Sequence, residues 1–545
     1  MLKTFLVTAR DRVRLRQIGR VMINHGLQDV LRILGLQSLF GNLRYKSDAA
    51  NETQSQRLRQ ALEELGPTFI KLGQILATRA DLLDEHWTTE LEKLHSNVTA
   101  LPWPVIHRQL VESLGDEPET LFAQFDREPL AAASMAQVYR ATLHSGEQVI
   151  VKVLKPGQDK VIAADLRLLA WLAEFLEQQS PQLARFRPRQ LVRQLTVALE
   201  QELDLRHEAA LTQQFGENFS HRESIVIPKI WQAFTSQNVI VQSFIPGVQP
   251  HSHEQLAQAG FDGPTLARRG AEGFMHMVFT DRLYHGDPHS GNLMAVGDNQ
   301  VAYIDFGMAG QLSLRRRNQL LLLMQALSQR DSDGLVNTLI RWHEEGVPDV
   351  TVLELAAQDF FGRIAPGEFD LGAALVTMLT IAREYQVSLP ADLVLLFKAL
   401  ITADGVLKRI DPNFNLIETL EPMLRREILK RYHPDAISRR VNQMTGEVLE
   451  ATDTLPRLLS LVTKRLQLGK FHTDIEIKNL SHLGKSIERS AAVLGISLVI
   501  AALIIGLVPW LLAQSVTLLG IPIFPVLCFF AIAGGVIFLL WRILR

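Results

Sequence analysis

The sequence predicts an α+β protein in which a two-lobed body follows a helical extension and precedes an apolar two-helix hairpin. Short β-type runs concentrate in one region, apolar residues recur at helical spacing around it, and two long uncharged runs lie near the C-terminus. A chain of 545 residues is long enough for all of these parts. The predicted parts are a helical extension over 1–117, a β-rich lobe over 118–250, a helical lobe over 251–480, and membrane spans over 493–513 and 521–541.

The charge balance and the cysteine content narrow the class of protein. The 56 Lys and Arg residues nearly match the 58 Asp and Glu residues, and the formal net charge is -2. This balance disfavours a nucleic-acid partner, because nucleic-acid binding relies on attraction to phosphate. Cys528 is the single cysteine, so the chain cannot form an internal disulfide, which suits a reducing compartment.

The N-terminal region lacks the pattern of a cleaved secretory signal. Arg10, Arg12 and Arg14 interrupt its apolar residues early. Apolar residues at helical spacing over 15–22 favour a helix that packs on the body. Because the region is rich in arginine, a helix on a membrane surface and a mitochondrial transit peptide remain alternatives. Helical spacing returns over Leu58–Leu94.

The β-rich lobe is predicted from short runs of β-forming residues. LFAQF, QVYRATL and QVIVKVL read as strands, and HSGE between the last two reads as a hairpin turn. A helical stretch follows from Asp165 through Glu208, and NVIVQSFI then predicts another strand that ends at Pro246. Beyond residue 251 the pattern is mainly helical, with one strand-like segment, QVAYIDF. A β-rich small lobe, a short hinge and a helical large lobe are typical of a kinase-like fold.

Two motifs indicate phosphoryl-transfer chemistry. The segment HGDPHSGN fits the kinase catalytic-loop pattern H-x-D-x-x-x-x-N, with Asp287 and Asn292 at its two fixed positions. Asp305-Phe306-Gly307 follows directly after a predicted strand. Asn292 and Asp305 offer hard oxygens that suit Mg²⁺, and Asp287 would orient or deprotonate an attacking group. Either motif alone could be an ordinary polar loop, but the two in this order predict a kinase-like site with ATP and Mg²⁺ as cofactors.

Lys152 is the third predicted part of this site. It lies in the β-branched run VIVKV, where a kinase lysine contacts the ATP phosphates and pairs with a helix glutamate. The segment QELDLRHEAA offers three candidate partners, Glu202, Asp204 and Glu208. Glu202 and Asp204 are two positions apart and cannot share a helix face, whereas Glu208 lies close to two turns from Glu202. A surface lysine and a solvated acidic helix remain alternatives at this point.

The glycine-rich loop of ordinary kinases is absent. Its place is taken by alanine-rich sequence, which we expect to hold nucleotide differently because an alanine Cβ limits positive φ and close phosphate approach. The predicted nucleotide-binding residues here are Ala131, Ala132, Ala133, Ser134, Met135, Ala136, Gln137 and Val138. No A-P-E triplet and no long activation segment follow Asp305-Phe306-Gly307.

Taken together, these motifs resemble the UbiB/ABC1/ADCK family of atypical kinases. The matching residues are the KxGQ motif at Lys71–Gln74, the alanine-rich loop AAASMAQV, Lys152, the ExD motif at Glu202–Asp204, Glu208, HGDPHSGN and DFG. The resemblance covers roughly residues 60–310 by motif, and the two-span tail is similar to that of the bacterial members.

The resemblance implies a kinase-like fold whose KxGQ extension folds over the active site. By that analogy Lys71 and Gln74 meet Glu202 and Asp204 as regulatory residues, and Glu208 pairs with Lys152. It further implies that the extension occludes a protein substrate. The family is tied to ubiquinone biosynthesis, where its members behave as ATPases or small-molecule kinases.

Two uncharged runs predict a membrane anchor. The segments 493–513 and 521–541 are each long enough to cross a hydrocarbon core of ~30 Å as a helix. Lys485 and Arg489 precede the first run, and Arg542 and Arg545 follow the second. The positive-inside rule therefore places both outer ends of the hairpin, and with them the soluble body, on the cytoplasmic side or on the equivalent side of an energised membrane. With the resemblance to the bacterial members, we expect a multi-pass protein of the inner (cytoplasmic) membrane.

The leading functional hypothesis is a membrane-anchored ATPase or lipid-directed kinase that supports ubiquinone biosynthesis. Its expected partners are ATP and ADP, membrane lipids, prenylated quinone precursors, other ubiquinone-biosynthesis proteins and a second copy of the chain paired through the tail. A nucleotide-binding pseudokinase scaffold is the alternative. A conventional protein kinase is a third hypothesis, which the alanine-rich loop and the missing A-P-E triplet disfavour.

Overall fold

The computed structural model describes most of the chain up to residue 416 and two short strands beyond it. The described residues are 9–28, 53–79, 81–94, 100–179, 187–342, 349–364, 370–387, 389–416, 419, 517–518 and 521–522. The chain divides into two compact units, each defined by the contacts within it, and these are Met1–Ala436 and Ile437–Arg545. The described part of the second unit is an antiparallel pair, Thr517–Leu518 with Ile521–Pro522.

Neither predicted membrane helix can be compared with a helix in the structure. The span 493–513 lies outside the described residues, as does 521–541 beyond its first two positions. Among the residues that are described, no helix combines the length and the apolar character needed to cross a bilayer.

Five helices lie in the described N-terminal part of the chain. A capping box between Thr53 and Gln56 starts the second of them, and Gly66, with a φ of 94°, separates it from the third, which begins at Pro67. The helices are α1 Ala9–Asn24, α2 Gln54–Leu65, α3 Pro67–Ala77, α4 Glu85–Glu92 and α5 Trp103–Leu114.

Helix α1 packs on the body, as its apolar spacing predicted. Val21 and Met22 are buried in a cluster with residues of α2, α3 and α4. The Arg14 Nε atom donates to Asp165 Oδ1 at 2.6 Å, and the Asp165 side chain is fully buried. The interpretation of this region as a packing helix is therefore confirmed for residues 9–24.

The first lobe contains an antiparallel five-stranded sheet. Strands β1 and β2 pair with the two ends of one edge of β3, β4 pairs with its other edge, and β6 follows β4. The elements are α6 Pro118–Leu121, β1 Gln124–Phe125, β2 Ala131–Ala132, β3 Ala136–Thr142, β4 Gln148–Leu154, α7 Gln158–Gln179, α8 Pro188–Glu202, α9 Leu205–Phe219, β5 Ile225–Val226 and β6 Val239–Ser243. Strand β5 belongs to a second sheet with strands of the other lobe.

The two faces of the five-stranded sheet have different roles. Tyr139, Val151 and Val241 lie in register on one face, are fully buried and pack in a cluster with Ile106 and Leu110 of α5. Because side chains alternate along a strand, the residues between them point to the opposite face. That opposite face carries Lys152 and faces the second lobe.

The predicted helical stretch 165–208 is divided between three helices. Pro188 starts α8, because proline fits the first turn but not a helix interior. The Asp204 carboxylate caps α9 by accepting from the Arg206 N–H. The break places Glu202 at the end of one helix and Glu208 in the first turn of the next.

The second lobe is mainly helical and holds the largest buried cluster. Short strands line its contact with the first lobe, and α11 and α16 pack against them. The elements are α10 His253–Gln258, α11 Gly263–His276, β7 Leu283–His285, β8 Leu293–Val296, β9 Gln300–Tyr303, β10 Ala309–Gln311, α12 Leu314–Gln329, α13 Ser332–Trp342, α14 Val350–Arg363, α15 Leu371–Glu384 and α16 Ala391–Ile410.

Candidate nucleotide-binding site

Lys152 and Glu208 form the central ion pair of the site. Strand β4 carries Lys152 in register with Val138 and Ile240, and the first turn of α9 carries Glu208. The Lys152 Nζ atom donates to Glu208 Oε1 at 2.9 Å and to Oε2 at 2.7 Å. Of the three candidate partners, the structure therefore selects Glu208.

Asp305 extends this pair into a three-residue network. The Lys152 Nζ atom also lies 3.4 Å from Asp305 Oδ2, and the Gly307 N–H donates to Asp305 Oδ1 at 2.8 Å. Partial loss of solvent around the carboxylate would raise the pKa of Asp305, but the Lys152 charge and the Gly307 hydrogen bond outweigh that effect and lower the pKa to about 2. Asp305 is thus a carboxylate at any physiological pH.

The electrostatic balance keeps a positive charge on Lys152. Burial disfavours the ammonium, but the charges of Asp305 and Glu208 outweigh burial and raise the pKa of Lys152 above its ordinary value. Burial raises the pKa of Glu208 to about 7, and the neighbouring Lys152 charge opposes that rise. The single Lys152 ammonium therefore faces two carboxylates. The remaining negative charge would attract a second cation to this site.

His285 connects the catalytic loop to the DFG segment. Its Nε2 atom lies 2.6 Å from the Asp305 carbonyl oxygen, and its Nδ1 atom accepts from the Asp287 N–H at 3.1 Å. Burial lowers the pKa of His285, although Asp305 partly opposes this, so the ring is neutral with Nε2 protonated. The pairing of His285 with Ala309 adds backbone bonds between β7 and β10.

Asp287 and Asn292 lie together on the loop between β7 and β8. The Asn292 Nδ2 atom donates to the Asp287 carbonyl oxygen at 3.1 Å, and the Ile304 N–H donates to the Asn292 carbonyl at 3.1 Å. The Asp287 side chain is 35% exposed, so it can reach a bound molecule. These bonds connect both loops to Asp305, and the four residues Lys152, Asp287, Asn292 and Asp305 belong to one network.

The donor set fits a magnesium ion. The Asn292 amide nitrogen faces the Asp287 carbonyl, and no described group donates to its Oδ1 atom. The Asp305 side chain is 43% exposed despite its contacts with Lys152 and Gly307. Amide and carboxylate oxygens of this kind are the ligands that Mg²⁺ prefers.

The alanine-rich loop forms the tip of the β2–β3 hairpin. Ala131 pairs with Val138, Ala132 pairs with Gln137, and the Ala133 N–H donates to the Ala136 carbonyl at 2.8 Å. None of the residues with positive φ in the described chain lies within this hairpin. The loop can therefore use alanine, since no position in it requires the conformational freedom of glycine.

Two residues predicted to bind nucleotide lie on opposite faces of β3. Val138 shares the face of Lys152. The Gln137 side chain is fully buried on the other face, where its Oε1 atom accepts from the Leu101 N–H at 2.7 Å and its Nε2 atom donates to Tyr139 Oη at 2.8 Å. Its side chain thus joins the segment that precedes α5 to the sheet and is directed away from Lys152.

The KxGQ and ExD motifs meet through one ion pair. Lys71 of α3 is 8% exposed, and its Nζ atom donates to Glu202 Oε1 at the end of α8. The expected meeting of Gln74 with Asp204 is not found. Gln74 donates to the Leu94 carbonyl at 3.3 Å, and Asp204 is held by the α9 cap and by Arg206.

The extension contacts both lobes. Its Lys71 pairs with the first lobe, while Arg383 of α15 donates to the Leu83 carbonyl at 3.0 Å and lies 3.4 Å from Asp84. Partial burial and the charge of Asp287 raise the pKa of Glu92, and Lys398 opposes that rise. Glu92 of the extension thus lies within electrostatic range of Asp287 in the catalytic loop.

Two contacts of the site were not predicted from the sequence, although one of them involves motif residues. Phe306 is fully buried, and its ring centroid lies 4.6 Å from that of Phe215 on α9 and 5.5 Å from that of His285. The Gln242 Nε2 atom donates to the Ile304 carbonyl at 3.0 Å and joins β6 to the DFG segment. His285 is the first position of the H-x-D-x-x-x-x-N pattern, so the sequence could have indicated it. No residue near Gln242 in the sequence indicates its contact with Ile304.

Comparisons with known proteins match most of the chain. The model of the ABC1 atypical kinase-like domain matches residues 93–339, that of the UbiB helical domain matches 358–415, and that of the ABC1/UbiB kinase-like C-terminal domain matches 478–545. A solved structure of a Mycobacterium tuberculosis protein in complex with erythromycin is 24% identical, with a TM-score of 0.45, over 66% of this chain and 92% of the other.

Relatives with the name "Probable protein kinase UbiB" align along nearly the whole length. The Xylella fastidiosa M12 protein is 30% identical over 517 residues, which cover 90% of this chain and 93% of that protein. The Xanthomonas oryzae pv. oryzae protein is 30% identical over 526 residues, which cover 91% and 94%. On this identity and on the matched ABC1 and UbiB domains, the chain belongs to the UbiB family of atypical kinase-like proteins.

Proposed function

We propose that the protein binds Mg-ATP and acts as an ATPase or small-molecule kinase that supports ubiquinone biosynthesis. The observation that carries the proposal is the network that joins Lys152, Glu208 and Asp305 to Asp287 and Asn292. Phosphoryl transfer depends on positioning and on charge stabilisation, and these residues supply both. The family name supports the link to ubiquinone biosynthesis.

Each residue has a distinct role in this proposal. Lys152, held by Glu208, would contact the phosphates, and Asp287 would orient or deprotonate the attacking group. Asn292 and Asp305 would hold Mg²⁺, which supplies positive charge against the phosphate oxygens. Lys71, through Glu202, would restrain the site from the side of the extension.

A small phosphate acceptor is favoured over a protein. Only residues 308–313 separate Gly307 from the start of α12, and three of them pair with β7. That short segment leaves little surface for docking a peptide, and the extension lies near Asp287. Water, or a lipid that reaches the site from a bilayer, is the acceptor that we propose.

We also propose that the segments 493–513 and 521–541 anchor the chain in the inner (cytoplasmic) membrane. The two uncharged runs and their flanking cations support this proposal. Such an anchor would hold the site near prenylated quinone precursors, which dissolve in the same bilayer.

One observation favours a nucleotide-binding scaffold as the second candidate. The ion pair of Lys71 with Glu202 ties the extension beside the site, and this contact would limit turnover. A scaffold would bind nucleotide without hydrolysing it and would still support the pathway.

The decisive experiment measures ATP turnover by the full chain in liposomes, with and without a prenylated phenol. We expect Mg²⁺-dependent hydrolysis that rises with the phenol. Asp305→Asn should weaken Mg-ATP binding at least about tenfold, which corresponds to ~1.4 kcal/mol. Asp298→Asn, in the exposed turn between β8 and β9, is the matched control and should behave as the wild type.

The outcomes separate the two candidates. Nucleotide binding without turnover, combined with normal quinone content in cells, would favour the scaffold. Unchanged Mg-ATP affinity in the Asp305→Asn variant would refute the assignment of this site.

A further inference from the structure

Lys155 lies beside the alanine-rich loop, yet the proposed function gives it no role. It follows β4 three positions after Lys152, and only 5% of it is exposed. Its Nζ atom donates to the Ala133 carbonyl at 2.7 Å, and its N–H donates to the Met135 carbonyl at 2.8 Å. One residue therefore contacts both halves of the loop tip.

The charge of Lys155 is poorly compensated. Lys152 has two carboxylate neighbours, whereas the ammonium of Lys155 has one carbonyl acceptor and no described carboxylate within ion-pair distance. Burial alone lowers the pKa of Lys155, with no opposing charge. A buried cation in this setting costs stability, so its contribution to folding does not explain its presence.

The loop itself has few other restraints. Among the described residues, one backbone bond closes the tip within the loop, from the Ala133 N–H to the Ala136 carbonyl, and the bond from the Lys155 N–H to the Met135 carbonyl holds it from outside. Hydrogen bonds from a charged donor are stronger than those between neutral groups. The bond from Lys155 to the Ala133 carbonyl is therefore the strongest polar contact that the structure gives this tip.

We propose that Lys155 is a positioning residue that fixes the alanine-rich loop in its nucleotide-binding shape. The proposal rests on the proposed function, because it assigns the loop to the phosphates of a nucleotide. Where a glycine-rich loop folds onto its ligand, this loop is held in place beforehand by Lys155. Ordering the loop in advance reduces the entropy lost on binding and so sets the affinity for nucleotide.

The test compares Lys155→Met with Lys155→Gln in the full chain. Methionine keeps the size of the side chain and removes the donor, whereas glutamine keeps an N–H donor without the charge. Lys160→Met is the matched control, since Lys160 is exposed on α7 and has no contact with the loop.

Hydrogen exchange without nucleotide gives the first readout. In Lys155→Met, exchange over residues 130–138 should be about tenfold faster than in the wild type, because a hydrogen bond from a charged donor is lost. Lys155→Gln should lie between the two, and Lys160→Met should match the wild type. The midpoint of thermal unfolding should stay equal or rise in Lys155→Met, whereas a purely structural lysine would lower it.

Nucleotide kinetics give the second readout. The KM for Mg-ATP should rise about three- to tenfold in Lys155→Met, with kcat within about twofold of the wild type. Unchanged loop exchange would overturn the proposal whether or not the protein binds nucleotide. Faster exchange with an unchanged KM would overturn the link between loop shape and affinity. A wild-type protein that ignores nucleotide would refute the proposed function, and the exchange data would still decide the role of Lys155.

Discussion

Asp281 shows the cost of a buried carboxylate without a full set of partners. Its Oδ1 atom lies 3.3 Å from His276 Nε2, whereas its Oδ2 atom is buried and accepts no hydrogen bond. Arg222 donates to the other nitrogen of the same ring, at 3.1 Å from His276 Nδ1. Burial raises the pKa of Asp281 to about 6, and the charge of Arg222 opposes that rise.

This raised pKa predicts a pH dependence of stability. An aspartate in the unfolded chain has a pKa of ~3.9, so the folded protein binds the proton more readily between about pH 4 and 6. The contribution of Asp281 to stability is therefore present below about pH 4 and is lost as the pH rises through 6. Asp281→Asn removes this titration and should raise the unfolding midpoint at pH 8 relative to the wild type.

The comparison should be run as thermal unfolding of the full chain between pH 5 and pH 8. The advantage of Asp281→Asn should shrink as the pH falls, while Asp298→Asn, at an exposed position, should show no such trend. An advantage that is the same at both ends of the range would contradict the assignment of the shift to Asp281.

At the residue scale, short-range motifs were predictable and side-chain directions were not. The spacing within HGDPHSGN and DFG predicted Asp287, Asn292 and Asp305, because those positions are close in sequence. The direction of Gln74 depends instead on Leu94, which lies on the other side of α4 in the chain. The catalytic and metal-binding roles of these residues stay predictions.

At the element scale, strands with strong alternation were predicted and several short strands were missed. QVYRATL and QVIVKVL form β3 and β4, because both alternate β-forming residues and meet at a turn where Gly146 has a φ of 95°. Strands β7 and β10 have three residues each and exist only through their pairing with one another. Such pairing depends on tertiary contacts that no local pattern encodes.

The contact between α3 and α8 predicts a gating effect. Lys71→Ala removes the ion pair with Glu202 and leaves the apolar contacts of α3 in place. We expect altered selectivity between ATP and ADP, or altered self-phosphorylation, with an unfolding midpoint close to that of the wild type. Nucleotide binding and self-phosphorylation of the purified protein provide the measurement.

Lys93→Ala is the matched control for Lys71→Ala. Lys93 lies in the same extension, is 56% exposed and pairs with Glu90 within its own helix region. Exposed pairs of this kind contribute ~0–1 kcal/mol, so its loss should leave nucleotide behaviour unchanged. Identical nucleotide behaviour in Lys71→Ala and the wild type would remove the gating role of the extension.

At the scale of the whole molecule, the extension bridges the two lobes. The bond from Arg383 to the Leu83 carbonyl spans 300 positions of sequence, and the Lys71–Glu202 pair spans 131. Contacts at such separations cannot be inferred from local spacing. The sequence analysis therefore predicted the motifs and the elements, but not the contacts between them. The family resemblance supplied the expectation that the extension covers the site.

Arg383→Ala tests this bridge. Removing the guanidinium should free the segment 81–94 from α15, because both of its contacts there are lost. Hydrogen exchange over 81–94 should therefore increase, and exchange in β4 should not. Arg409→Ala, at an exposed position on α16, is the control. Equal exchange over 81–94 in both variants would show that Arg383 does not hold the extension.

The burial of Phe306 has a consequence for inhibitor chemistry. Its ring is enclosed by Phe215 of α9 and by His285, so a rotation of the DFG segment would expose one aromatic ring and leave a void beside two others. Compounds that need this phenylalanine to swing outward would carry that penalty in their affinity. Compounds that bind beside Lys152 while Phe306 stays buried are the better starting point for a chemical probe.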